Sequence, residues 1–113
     1  MKRVGLVGKL KPEMVDTYVK LHAAVWPSVL QRIEACHIQN YSIFLKELPG
    51  QQFFLFSYFE YVGVQFDEDM RQMAADPEVQ RWWGECKPCF QRLEELPPDE
   101  VWAPMQEIFY FDG

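Results

Sequence analysis

The chain has little from which to build a metal or redox centre. Its 113 residues include only two histidines and three cysteines. An odd cysteine count argues against a closed disulfide framework. Cys86-Lys87-Pro88-Cys89 has C-x-x-C spacing. A structural zinc site would need two further ligands, and Cys36 with His37 could supply them only in an unusual geometry. The pair also falls late in a helical pattern, whereas a thioredoxin-type motif belongs at a helix start. The cysteines therefore read as reduced, partly buried small hydrophobes, and neither metal nor cofactor is expected. A Gly-rich phosphate loop and a G-x-S-x-G turn are also missing. Basic residues are outnumbered, 11 Lys and Arg against 17 Asp and Glu, for a net charge of −6. They form no cluster, which excludes nucleic acid or an anionic membrane as the main partner. No apolar run is long enough to span a bilayer. The stretch Met1–Lys9 is too interrupted for a signal peptide, and a cytoplasmic location is expected.

What is present is apolar and aromatic, 49% and 16% of the chain respectively, enough for the core of a single domain over 1–113. Val4 to Leu10 alternates as a strand. Pro12 and Glu13 open a helical pattern through Met14, Tyr18, Leu21, His22 and Val25. Pro27 cannot donate to the Ala23 carbonyl, so the helix kinks or restarts there. Asn40–Lys46 and Phe53–Tyr61 read as a hairpin around Leu48-Pro49-Gly50-Gln51. Asp67 opens a helix carrying Met70 and Met73. Asp76-Pro77-Glu78 caps a further helix with its stripe at Val79, Trp82/Trp83, Cys86, Phe90 and Leu93, which Pro88 kinks or ends. Met105–Phe111 is expected as a last strand. The order is that of the split βαβ, ferredoxin-like α+β arrangement, with both helical units on one face of an antiparallel sheet.

The second face of that sheet is not polar. Phe53, Leu55 and Phe59 lie on one side of their strand and Phe54, Phe56 and Tyr58 on the other. A sheet with one wet face alternates apolar with polar, and no remaining segment is large enough to cover this one. A homodimer with sheets face to face, a dimeric α/β barrel, is the expectation.

Chemistry concentrates in Tyr18-Val19-Lys20-Leu21-His22 and Trp26-Pro27. Residues four apart share a helix face, and imidazole is the side chain best suited to moving protons near neutral pH. On spacing alone His22 is either a proton shuttle or a histidine satisfied by its neighbours. His37, in a turn before a strand, reads as structural or solvated. Trp82 and Trp83 point about 100° apart on a helix, so one can enter the core while the other lines a cleft. The Tyr41 ring suits the core, but its hydroxyl needs a partner. Glu60 and Glu107 fall within or at the ends of strands. Any enzyme built from these residues performs little more than proton transfer in a shaped pocket.

Several motifs taken in order resemble the L-rhamnose mutarotase family. They are Tyr18-x-x-x-His22 with Trp26-Pro27, Asn40-Tyr41-Ser42-Ile43-Phe44-Leu45, Leu55-Phe56-Ser57-Tyr58-Phe59-Glu60, Trp82-Trp83, and Gln106-Glu107-Ile108-Phe109-Tyr110. They cover nearly the whole chain. The resemblance implies a dimeric ferredoxin-like fold and cofactor-free interconversion of the α and β anomers of a deoxy-hexose. It places His22 as proton donor and Tyr18, Tyr41, Trp82 and Trp83 as contacts to a monosaccharide. Leu21 stands where the family commonly has a basic residue and Ser28 where it has an acid. The segment Tyr61–Met73 looks longer than usual. L-Fucose or a related sugar stays open as substrate. A ferredoxin-like monooxygenase and a non-catalytic sugar-binding module stay open as other readings.

Overall fold

A computed structural model describes all residues, Met1–Gly113. Strand β1 (Lys2–Leu10) leads through a 3-10 turn (Pro12–Met14) into helix α1 (Val15–His22). Helix α2 (Pro27–Ala35), the hairpin β2 (Ile38–Leu48) and β3 (Gln52–Tyr61), and helices α3 (Phe66–Ala75) and α4 (Pro77–Cys86) follow. A second 3-10 turn (Lys87–Cys89) and a short β4 (Ala103–Pro104) complete the order. The sheet is antiparallel throughout, in spatial order β2-β3-β1-β4, as the split βαβ reading requires. No helix is long and apolar enough to cross a membrane.

Strand parity sorts the sheet's faces. Leu10, Gly8, Leu6 and Val4 on β1 lie across from Phe53, Leu55, Ser57 and Phe59 on β3. This is the helix side, where Leu10 and Leu55 join Tyr18, Val29, Trp82, Cys86, Cys89 and Phe90 in the core. All three cysteines are buried and unpaired. Burial pushes the Cys86 thiol up to about 12, so it is an inert hydrophobe here.

α1 and α2 are two helices rather than one kinked helix. Trp26, which precedes proline, is held extended (φ −61°, ψ 134°). The first helix therefore stops at His22 instead of running to Val25, and Pro27 starts the second at a position that needs no N–H donor. Asp76 caps α4 as expected, accepting from the Glu78 amide at 2.8 Å. The hairpin turns at Gly50 and Gln51, both at positive φ. β2 begins earlier than expected, with a register shift between Gln39 and Ser42. His37 is exposed before it, in the left-handed region (φ 65°), and its Nδ1 lies 3.0 Å from Asp69 Oδ2.

The expected strand over Met105–Phe111 does not form. β4 is two residues long, and only Met105 adds a further bond, donating to the Gly5 carbonyl at 2.8 Å. Pro104 has no N–H to extend the ladder. Arg3 draws the tail off the sheet edge instead. Its guanidinium is bidentate on Glu107 (2.8 and 3.1 Å) and lies 3.3 Å from the centre of the Tyr110 ring. A segment of this chain therefore does lie over part of the sheet's second face, near β1. Phe44 on that face stays 64% exposed, and Ile108 and Phe109 on the tail 88% and 80%.

Candidate active site

His22 is the last residue of α1, and the helix ends just where its ring is fixed. Its Nδ1 lies 3.0 Å from the Tyr18 carbonyl oxygen, an acceptor, so Nδ1 carries the proton in this contact. The bare Nε2 is then free to accept one. The Tyr18 ring stacks on the imidazole (centroids 4.1 Å, 27° between planes), and Trp82 meets it edge-on (5.2 Å, 64°). Burial lowers the His22 pKa, and the bond to Tyr18 opposes this only in part. The ground state near neutral pH is the neutral imidazole.

Tyr18 is 4% exposed and leans edge-on against Phe90 at 5.4 Å. Burial, with Tyr41 nearby, raises its phenol pKa. This phenol keeps its proton and can orient or donate, but it does not act as a base. Tyr41 stands on the helix side of β2, 5.4 Å from the Phe59 ring. Although it is 41% exposed overall, protein surrounds its hydroxyl closely enough that burial raises that pKa as well.

Tyr18 and His22 open onto a depression of about 300 Å³ completed by Val19, Ala23, Ile43, Leu45 and Leu55. A small ligand there meets the His22 imidazole and Tyr18 and otherwise apolar walls, and Tyr41 is not among the lining residues. The sequence signal for the far wall was strand parity, since Ile43 and Leu45 share the face of Tyr41. Val19 and Ala23 carried no signal of their own, for they are lining residues only because α1 ends beside the sheet.

The two tryptophans part as the helical offset requires. Trp82, 6% exposed, sits in the core against His22 and Trp26. Trp83 is not brought to the His22 depression. It borders a separate one of about 430 Å³ with Gly84, Lys87, Phe90, Arg92 and Asp99, and Lys87 Nζ lies 5.4 Å from its ring centre. Of the positions where the chain departs from the family pattern, Leu21 packs against the core. Ser28 donates to Glu78 across the α2–α4 interface at 3.3 Å. His37 and Asp69 lie apart from the site, with Tyr61 Oη donating to the same Asp69 oxygen at 2.5 Å.

A ferredoxin-like α+β domain with one half-buried imidazole at the mouth of an apolar depression is a class that serves several chemistries, and the fold alone does not choose among them. Comparison does. The L-rhamnose mutarotase family model matches residues 3–111, and the chain belongs to that family. The L-rhamnose mutarotase of Oceanobacillus iheyensis is 31% identical over 112 residues, covering 99% of this chain and all of that one. That of Listeria monocytogenes serotype 4b is 32% identical over 111 residues, covering 97% and 98%. The crystal structure of an L-rhamnose mutarotase from Formosa agariphila superposes with a TM-score of 0.76 at 24% identity, covering 99% and 100%. A putative antibiotic biosynthesis monooxygenase from Chloroflexus aurantiacus reaches 0.53 at 13% identity over 97% of each chain, a likeness of fold alone.

Proposed function

We propose that this protein is a carbohydrate isomerase that interconverts the α and β anomers of L-rhamnose without a cofactor, using His22 to move the proton. The reading rests above all on the pairing of Nδ1 with the Tyr18 carbonyl, which leaves a neutral imidazole with its Nε2 lone pair free. Nε2 takes the proton of the anomeric hydroxyl. The C1–O1 bond becomes a carbonyl as the C1–O5 bond breaks, and the imidazolium returns a proton to O5. Both oxygens are bonded to C1, so one nitrogen can serve each in turn. Rotation about C1–C2 presents the other carbonyl face, and the reverse steps close the ring. Histidine is thus the proton donor to the ring oxygen, as the family resemblance implies, but it first acts as base.

Tyr18 and Tyr41 keep their protons and orient sugar hydroxyls. Val19, Ile43, Leu45 and Leu55 offer apolar surface to the C–H face and methyl group of a 6-deoxy sugar. Trp82 supports the imidazole. A positioned acid–base group contributes about 10²–10⁴-fold, which suffices for a reaction already fairly easy in water. Saturation transfer between anomeric protons, run with L-rhamnose, L-fucose and other hexoses, tests activity and preference together. Faster exchange with L-rhamnose than with the rest supports the reading, and no acceleration with any sugar refutes it.

We also infer a homodimer that closes the sheets into a barrel. Phe44 and Phe56 on the second sheet face, with Ile108, Phe109 and Phe111 on the tail, leave large apolar side chains in water, and clustered exposure of this kind marks an interface. Light scattering after size exclusion checks it; a monomer at micromolar concentration contradicts it. The cytoplasm, where unpaired thiols persist, is the proposed site of action.

A further inference from the structure

We propose that Trp26 is a positioning residue for the reaction: it holds Trp82 edge-on against His22 and thereby fixes the imidazole. The inference rests on the reading of His22 as the proton carrier. An imidazole's second side-chain torsion is broad, so a hydrogen bond at Nδ1 alone leaves Nε2 free to swing about it. Packing must supply the rest. Tyr18 covers one side of the ring at 4.1 Å and Trp82 meets another at 5.2 Å. Trp82 belongs to a different helix, and its ring needs a stop behind it. Trp26 provides that stop, its ring 5.2 Å from Trp82 at 70°.

Trp26 is itself anchored by its backbone. It is extended because proline follows, and its carbonyl accepts from the amides of Val29 and Leu30 at 3.0 and 3.1 Å. The helices on which Trp26 and Trp82 ride are tied together as well. Arg32 Nε donates to Asp76 Oδ2 at 2.7 Å, and Ser28 donates to Glu78 at 3.3 Å. A continuous run of contacts therefore leads from the start of α2 through Trp26 and Trp82 to His22. The break between α1 and α2 is what allows it, since a continuous helix would carry Trp26 along the same axis as His22.

The test compares Trp26→Leu, Trp26→Phe and His22→Ala. Anomer exchange gives kcat and KM, and the His22 ring-proton resonances give its titration. A misplaced catalytic group costs up to about a hundredfold. Trp26→Leu should lower kcat by roughly ten- to a hundredfold with KM within about twofold. Its His22 titration should move up toward the ordinary imidazole value as water reaches the ring. Trp26→Phe keeps an aromatic edge and should restore most of kcat; if Trp26→Leu does not fold, an intermediate loss in Trp26→Phe carries the same conclusion. A folded Trp26→Leu protein with unchanged kcat and unchanged His22 titration overturns the proposal, and so does a rise in KM alone; where Trp26→Leu does not fold, a Trp26→Phe protein with no loss of kcat at all overturns it. If His22→Ala keeps full exchange, the reading of His22 itself fails; if His22→Ala loses exchange while Trp26→Leu behaves as wild type, the positioning role alone fails.

Discussion

Replacing Gly8 by alanine probes how tightly the site is held from below. Gly8 lies on β1 opposite Leu55, on the helix side of the sheet. A Cβ there would meet Phe90 Cε2 at 2.7 Å, Trp102 Cε3 at 3.2 Å and the Val101 carbonyl oxygen at 3.2 Å. Carbon atoms pack best at about 3.5–4.0 Å, so Phe90 must retreat by about 1 Å. Overpacking of this kind costs about 1–3 kcal/mol, which for a domain of this size lowers Tm by roughly 4–12 °C. The displaced ring leans on Tyr18 at 5.4 Å, and Tyr18 stacks on His22, so anomer exchange should fall as well. Gly84 is the control. A Cβ there meets nothing within 4 Å, and Gly84→Ala on the exposed face of α4 should stabilise the fold by about 0.5–1 kcal/mol. Thermal unfolding by circular dichroism reads both. A Gly8→Ala protein that melts with the wild type refutes the close-packed support, and one that melts lower but keeps full exchange refutes the route through Phe90.

Two other predictions concern stability. His22 is held below its ordinary value of 6.5 by burial, so the unfolded chain binds this proton first. Its contribution is intact above that value and is lost as pH falls below it. Asp69 is held down by the Tyr61 hydroxyl and then by His37, and its contribution disappears further down, below the usual carboxylate value of 3.8. Tm should therefore fall between pH 7 and pH 5 in the wild type and less so in His22→Gln; a rise over that interval contradicts the burial argument. Asp76→Ala removes the cap on the Glu78 amide together with the partner of Arg32. It should cost about 1–2 kcal/mol in urea unfolding, with a smaller loss in Asp76→Asn, which can still cap. Equal losses would show that the charge alone matters.

The parts of the fold legible in the sequence are those set by short-range rules. The Asp76-Pro77-Glu78 cap, the Pro49-Gly50 turn region and the β2–β3 hairpin each depend on a few adjacent residues, and they are found as expected. Tyr18 and His22 share a face because four residues make about one helical turn, so this half of the site was readable from spacing. The tail was not. Its path is decided by Arg3, 104 positions before Glu107, and no local pattern encodes that pairing. The offset between Trp82 and Trp83 was readable, but not which ring would turn toward His22, because that depends on where α4 lies against α2. The His22 tautomer, too, needs a carbonyl whose direction is fixed only once α1 has formed.

Anomer exchange measured directly on L-rhamnose tests whether His22 carries the proton. Saturation transfer between the two anomeric protons gives the catalysed rate for wild type and His22→Ala at equal concentration, with folding checked by circular dichroism. His22→Ala should lower the catalysed rate by about 10²-fold or more. A folded His22→Ala protein that exchanges the anomers as fast as the wild type would contradict it.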